Sequence, residues 1–220
     1  MTNEEILNKV KSSKRKQEGM VFSAGSLVLV IFCIFLIIVS TFLQLNVTHF
    51  IIPSKLFHGQ SVNFADFLFT YKYIPQVPII LFLSVFLGRK YGIGSVILYI
   101  IMGLFFAPVF ALGGGLRYFF EYGFGYILGY IPAIYFAGSI LKSGYSNRNL
   151  LHGAFVGVLA IHIIGIIYML VIALLRHEGW LFMQNWIIAQ SGIKILYDII
   201  FSFLAMFIGK YARLIIWAYM

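Results

Sequence analysis

Long apolar stretches alternate with short polar or basic connections along almost the whole chain. Six stretches stand out, over residues 20–45, 77–87, 91–110, 119–141, 150–175 and 187–208. A helix needs about 20 mostly apolar residues to cross a bilayer, and five of the six reach or approach that length. The second is short; it follows Pro75 and Pro78, can be extended back through Tyr73, and stops at Gly88-Arg89-Lys90. The pattern predicts an all-α membrane protein of six spans. A basic tail over residues 1–19 precedes one transmembrane domain over residues 20–220. The connections over 46–72 and 176–190 are longer than turns, and the first carries apolar segments suited to lie at the interface or cap a cavity. Trp180 and Trp186 in the second fit an aromatic belt at the headgroups. No internal repeat or low-complexity segment is visible.

Composition strengthens this reading. Hydrophobic residues make up 61% of the 220 and charged ones 10%, against about 25% charged in soluble domains. A soluble globule of this size could not hide so much apolar surface. The first apolar run is too long for a signal-peptide core and lacks a small-residue cleavage site, so it is expected to stay as the first helix.

The 16 Lys and Arg, giving a net charge of +9, lie between the apolar runs, where they orient the chain rather than bind nucleic acid. With the N-terminus inside, Lys9, Lys11, Lys14, Arg15, Lys16, Arg89, Lys90, Lys142, Arg148, Lys210 and Arg213 are cytoplasmic. Lys55, Lys72, Arg117, Arg176 and Lys194 face out, a division of 11 against 5. Cytoplasmic loops carry such an excess. Both termini are therefore expected inside, in a plasma (inner) membrane, and the long loops and any functional concavity outside.

Few ionisable residues fall within the spans, and those are costly there. Lys194 and Asp198 are four apart on the last span and share a helix face, as a structural ion pair or a ligand-contacting one. Gly113-Gly114-Gly115-Leu116-Arg117 precedes Glu121-Tyr122-Gly123. Glycine amides beside an arginine suit a polar or carboxylate ligand; a tight turn with an Arg117–Glu121 pair is the even alternative. Tyr126 and Tyr130, one turn apart among Gly123, Gly125 and Gly129, offer two phenols to a cavity or simply pack between helices. His162 stands alone in mid-span and is expected to be a satisfied core histidine rather than a proton relay. Ser23, Ala24, Gly25 and Ser26 open the first span with room for a partner helix. The single cysteine, Cys33, has no disulfide partner. No metal-ligand spacing, nucleotide-binding loop or hydrolase motif occurs, so neither an enzymatic site nor a cofactor is expected. Any power for transport must come from another chain.

The segment from Tyr99 through Gly103, Pro108-Val109-Phe110-Ala111 and Gly113-Gly114-Gly115 resembles the BioY family. Members are biotin-specific substrate-binding subunits of energy-coupling-factor (ECF) transporters. Gly125-Tyr126-Ile127-Leu128-Gly129, Leu87-Gly88-Arg89-Lys90-Tyr91-Gly92 and Pro78-Ile79 resemble further family motifs, and the likeness is densest over residues 75–141. Where the family often has Thr and Gln after the second-helix proline, this chain has Ile80 and Phe82. Its G-P-T is Glu121-Tyr122-Gly123 here, and its Asp-x-x-Lys becomes Lys194, Tyr197 and neighbouring Asp198. The resemblance implies biotin or a related small acid as ligand, bound between spans four to six and the outer loops. It also implies a transmembrane coupling subunit and two ATPase subunits as partners. The departures leave two alternatives: a member binding another vitamin-like acid, or a structural membrane protein that kept the scaffold. An enzyme acting on lipid, suggested only by His162 and the Lys194/Asp198 pair, ranks last.

Overall fold

The computed structural model describes residues 24–219. The tail over 1–19, the expected start of the first span at residue 20, and Ser23 lie outside the described residues. Seven helices dominate: α1 (Ala24–Phe42), α2 (Gln76–Phe86), α3 (Gly88–Phe105), α4 (Phe124–Ile140), α5 (Asn147–Leu175), α6 (Trp180–Ser191) and α7 (Lys194–Tyr219). Among the described residues, four segments are long and apolar enough to cross a membrane: Gly25–Phe42, Phe124–Ser143, Asn147–Leu175 and Trp180–Ile215.

The outward faces show why lipid is the right solvent. Val28, Ile31, Phe35, Val39 and Phe42 of α1 are exposed, as are Ile163, Ile167, Val171 and Leu174 of α5 and Leu196, Ile200, Leu204 and Ile208 of α7. Each set recurs at helical spacing, so one continuous stripe of each helix is apolar and uncovered. The polar side chains Ser84, Ser95, His162, Ser191, Asp198 and Ser202 are buried instead.

Three features depart from the expected layout. The connection over 46–72, expected on the outer face, is not an irregular loop, so the protein is not purely helical. Strands β1 (Leu45–Phe50) and β2 (Leu68–Tyr73) pair antiparallel, in register from Leu45 opposite Tyr73 to Phe50 opposite Leu68. Both are rich in aromatic and β-branched residues, which suit a pleated surface. The opposed Thr48 and Thr70 hydroxyls meet at 3.0 Å. The hairpin tip is held by a capping box between Asn63 and Asp66 and by the 2.7 Å Lys55–Asp66 ion pair. Lys55 and the Asn63 amide hold the Asp66 carboxyl below its ordinary value.

Second, α2 has only 11 residues, about 16 Å of helix, and is too short to cross a bilayer alone. It ends where Gly88, at φ +76°, makes a reversal that only glycine adopts without strain. Arg213 Nη1 donates to the Val85 carbonyl at 2.8 Å, satisfying one of the free carbonyls at that helix end.

Third, the expected last span over 187–208 is broken. Its first residues belong to α6, which occupies the expected outer loop, and the chain turns at Gly192 before α7 begins. A Cβ at Gly192 would stand 2.4 Å from the Ile188 carbonyl oxygen, so the turn leaves no space for a side chain there.

The fourth and fifth spans were legible, although α4 starts at Phe124 rather than at residue 119. α4 and α5 pack at glycine contacts: a Cβ at Gly129 would lie 2.8 Å from the Ile161 Cα, and one at Gly165 would enter the Tyr126 ring. Close backbone approach of this kind drives helix association in lipid. The α2–α3 reversal, the α4–α5 turn and the late part of α7 converge at one end. There Arg213 also lies over the Tyr145 ring, and Arg89 Nη1 bonds Ser139 Oγ at 3.2 Å. The β hairpin, α6 and the start of α7 gather at the other end.

Candidate functional site

A cavity of about 350 Å³ opens at the hairpin end of the bundle, within the size range of small-molecule sites. Its walls come from α2 (Gln76, Val77), α3 (Tyr99), the 111–123 segment (Ala111, Leu112, Tyr118, Glu121, Tyr122), α4 (Tyr126, Ile127, Tyr130), α6 (Trp186, Gln190) and Lys194 of α7. Ile74 and Gly123 complete the lining. The second and third helices thus contribute alongside the expected later ones. Tyr99, Tyr118, Tyr122, Tyr126, Tyr130 and Trp186 make it rich in aromatic rings, and Gln76, Glu121, Gln190 and Lys194 supply its polar groups besides the phenols.

The charged pair at the start of α7 divides its labour. Asp198 is completely buried and is ion-paired to Lys194 through Oδ2. Tyr73 at the end of β2 donates its hydroxyl to Oδ1 at 2.6 Å, and His162 Nε2 of α5 reaches Oδ2 at 3.0 Å. A carboxylate without partners would be very costly at this depth; three donors satisfy this one. His162 Nδ1 meets Ser191 Oγ at 2.8 Å, and Tyr126 Oη meets the same oxygen at 2.6 Å. A neutral imidazole satisfies the whole chain: Tyr126 donates to Ser191, Ser191 to Nδ1, and Nε2–H to Asp198. His162 is therefore the satisfied core histidine its sequence position suggested. Lys194, held at one end by Asp198, lines the cavity and also lies 5.6 Å from the Tyr73 ring centroid.

Glu121, Tyr122, Tyr126, Tyr130 and Lys194 all reach the cavity wall. Tyr122 donates its hydroxyl to Glu178 at 2.7 Å, which raises its own pKa, and the Arg176 guanidinium lies 4.6 Å over its ring. Asp198 stands behind Lys194 rather than in the wall.

The glycine run is placed differently. Gly113 N–H donates to Phe110 O at 3.0 Å, and Gly115 N–H donates to Gly103 O at 2.9 Å. Those two amides are consumed by the loop itself. A Cβ at Gly114 would lie 2.5 Å from Gly103 O, and one at Gly103 would fall inside the Phe110 ring. Gly113, Gly114 and Gly115 thus let the loop clamp onto α3, and the neighbouring Ala111 and Leu112 form the wall in their place. Arg117 is exposed and makes no ion pair with Glu121 among the described residues.

Sequence reasoning passed over Gln76, Tyr99, Tyr118, Trp186 and Gln190. For Gln76 the available signal was a lone amide between Pro75 and Pro78 at a span entrance. The others are joined to the site only by the tertiary fold.

Residues 11–216 match the sequence profile of the BioY family. The chain belongs to the BioY family. The fold is similar to a solved one: the crystal structure of an S-component for biotin from an ECF-type ABC transporter superposes with a TM-score of 0.62 at 21% identity. The match covers 97% of this chain and 94% of that one. No curated protein sequence matches the chain. In this BioY member the reversed charge order in the last helix still yields one cavity-facing ammonium, because Lys194 begins α7 and Asp198 lies one turn deeper.

Proposed function

We propose that the chain is the substrate-binding membrane subunit for biotin uptake in an ECF-type transporter, and not an enzyme. Family membership supports this reading, and one observation carries it at the site: a single ammonium, Lys194, held by Asp198 at a mainly apolar cavity wall rich in aromatic rings. Tyrosines and Trp186 pack the apolar part of the ligand, and Lys194 supplies charge-assisted hydrogen bonds to its polar group. The chain crosses a plasma membrane six times with both termini in the cytoplasm, α2 and the end of strand β2 together making the second crossing. The cavity then opens outward, where the vitamin arrives. A transmembrane coupling subunit and two ATPase subunits complete the transporter.

The scaffold-only alternative called for a pocket collapsed around Phe82, Phe124 and Tyr122. The cavity is open: Tyr122 lines its wall, while Phe82 stacks on Phe86 and Phe124 packs at a tilt against Phe119, neither of them among the lining residues. A lipid enzyme would need a free acid–base group, and His162 is buried with both nitrogens engaged.

Titration of the purified protein with biotin tests the proposal. Saturable binding is expected, weakened on the order of 100-fold by Lys194→Ala. Absence of saturable binding, with no effect of Lys194→Ala on any vitamin-like acid, would remove it.

A further inference from the structure

Gln76, the first residue of α2, lines the cavity together with Val77 and Tyr99. Its Nε2 lies 2.8 Å from Thr41 Oγ1 and 3.0 Å from Tyr99 Oη. The orientation of this amide follows from its neighbours. Thr41 directs its only hydroxyl proton to the Ile37 carbonyl at 2.8 Å. Tyr99 directs its proton to the Val109 carbonyl, 3.4 Å away, or to Thr41 at 3.3 Å. Both hydroxyls therefore turn lone pairs toward Gln76, and only the NH₂ end of the amide can answer them. The two N–H bonds are used up, which leaves the carbonyl Oε1 as the one group of this cavity-lining amide without a partner among the described residues.

Asp198 cannot supply an acceptor, being buried with both oxygens engaged by Tyr73, His162 and Lys194. An open, neutral, fixed acceptor in the wall that also carries an ammonium suits a ligand with N–H beside C=O.

We propose that Gln76 determines ligand specificity, its Oε1 accepting a hydrogen bond from a ring N–H of a cyclic urea whose carbonyl oxygen takes Lys194. Thr41 and Tyr99 act as positioning residues that forbid the flipped amide. A site built to pair an N–H discriminates strongly against an analogue lacking it, because its own buried acceptor is then left unpaired. The assignment rests on the biotin reading above and adds to it the group that reads the ring nitrogen.

The test compares biotin with biotin methylated at each ring nitrogen in turn, on purified wild-type and Gln76→Met protein. Wild type should bind biotin at least about tenfold more tightly than one of the methylated forms. In Gln76→Met biotin should lose about that factor, and the preference over that methylated form should fall toward one. A packing defect would weaken all three ligands alike and leave the preference intact, so an unchanged ratio overturns the assignment, whatever the absolute affinities. Wild-type protein that prefers biotin to neither methylated form overturns it as well. Failure of wild type to bind biotin at all removes the functional reading and this assignment together, an outcome distinct from the other two.

Discussion

Asp198 is a carboxylate with no solvent exposure in a helix whose opposite stripe faces lipid, so its partners decide whether the helix can stand there. Removing one member of a buried ion pair costs about 3–5 kcal/mol, because the other charge is stranded. Asp198→Leu would strand the Lys194 ammonium and orphan the Tyr73 hydroxyl and the His162 Nε2–H. We expect a loss of that order, read as a lower melting temperature in detergent. The double variant Lys194→Met/Asp198→Leu should recover part of the stability and none of the ligand binding. An Asp198→Leu protein as stable as wild type would show that the pair contributes nothing to the fold. The i, i+4 spacing made the pair legible in sequence and left its two roles undivided. The structure makes Asp198 the support and Lys194 the group that lines the cavity. His162 lies 36 residues from Asp198, and no periodicity reveals a hydrogen bond across that distance.

Helices whose sequence is apolar around most of the circumference were read at nearly their true extent, since lipid imposes both length and composition. The hairpin was missed for the same reason. Its strands are apolar and aromatic, so the hydrophobic signal that finds spans says nothing about pairing between residues 45–50 and 68–73. The break at Gly192 was missed because the sequence remains apolar across it. Two expectations follow at this scale. Gly129→Val pushes a branched side chain against the Ile161 backbone, which cannot yield as a flexible side chain would. It should cost about 1–3 kcal/mol, measured by thermal unfolding, and a neutral result would mean that α4 and α5 are not held at that contact. The hairpin tip should respond to pH. Asp66 is held below its ordinary value mainly by the Lys55 hydrogen bond. The order it adds is therefore complete above the carboxyl's unfolded value and is lost as pH falls through the lowered folded one. Amide exchange over residues 63–67, corrected for the intrinsic pH dependence of exchange, should accelerate across that acidic window in wild type. Asp66→Asn should show no such step; a step that survives the substitution would assign it to another group.

At the scale of the molecule, the cations and the contacts agree on which connections share an end. Arg213 bonds the end of α2 and covers Tyr145, while Arg89 bonds Ser139, so the reversal at residues 87–88, the turn at 141–146 and the later part of α7 lie together. These are the connections in which the basic excess lies. At the other end Arg176 Nη2 donates to the Phe120 carbonyl at 2.7 Å, and His49 Nδ1 of the hairpin meets the Tyr197 hydroxyl at 2.5 Å. A basic end tends to stay in the cytoplasm, and this supports the proposal that the cavity opens outward. The protein suits a direct test, because its one cysteine, Cys33, is completely buried and should give little background with a membrane-impermeant thiol reagent. In intact cells, Ser61→Cys in the hairpin tip and Glu178→Cys before α6 should be labelled, whereas Ser143→Cys should react only after the membrane is opened. Labelling of Ser143→Cys in intact cells, with protection of the other two, would invert the orientation. It would then turn the cavity, and the biotin it is proposed to receive, to the cytoplasmic side.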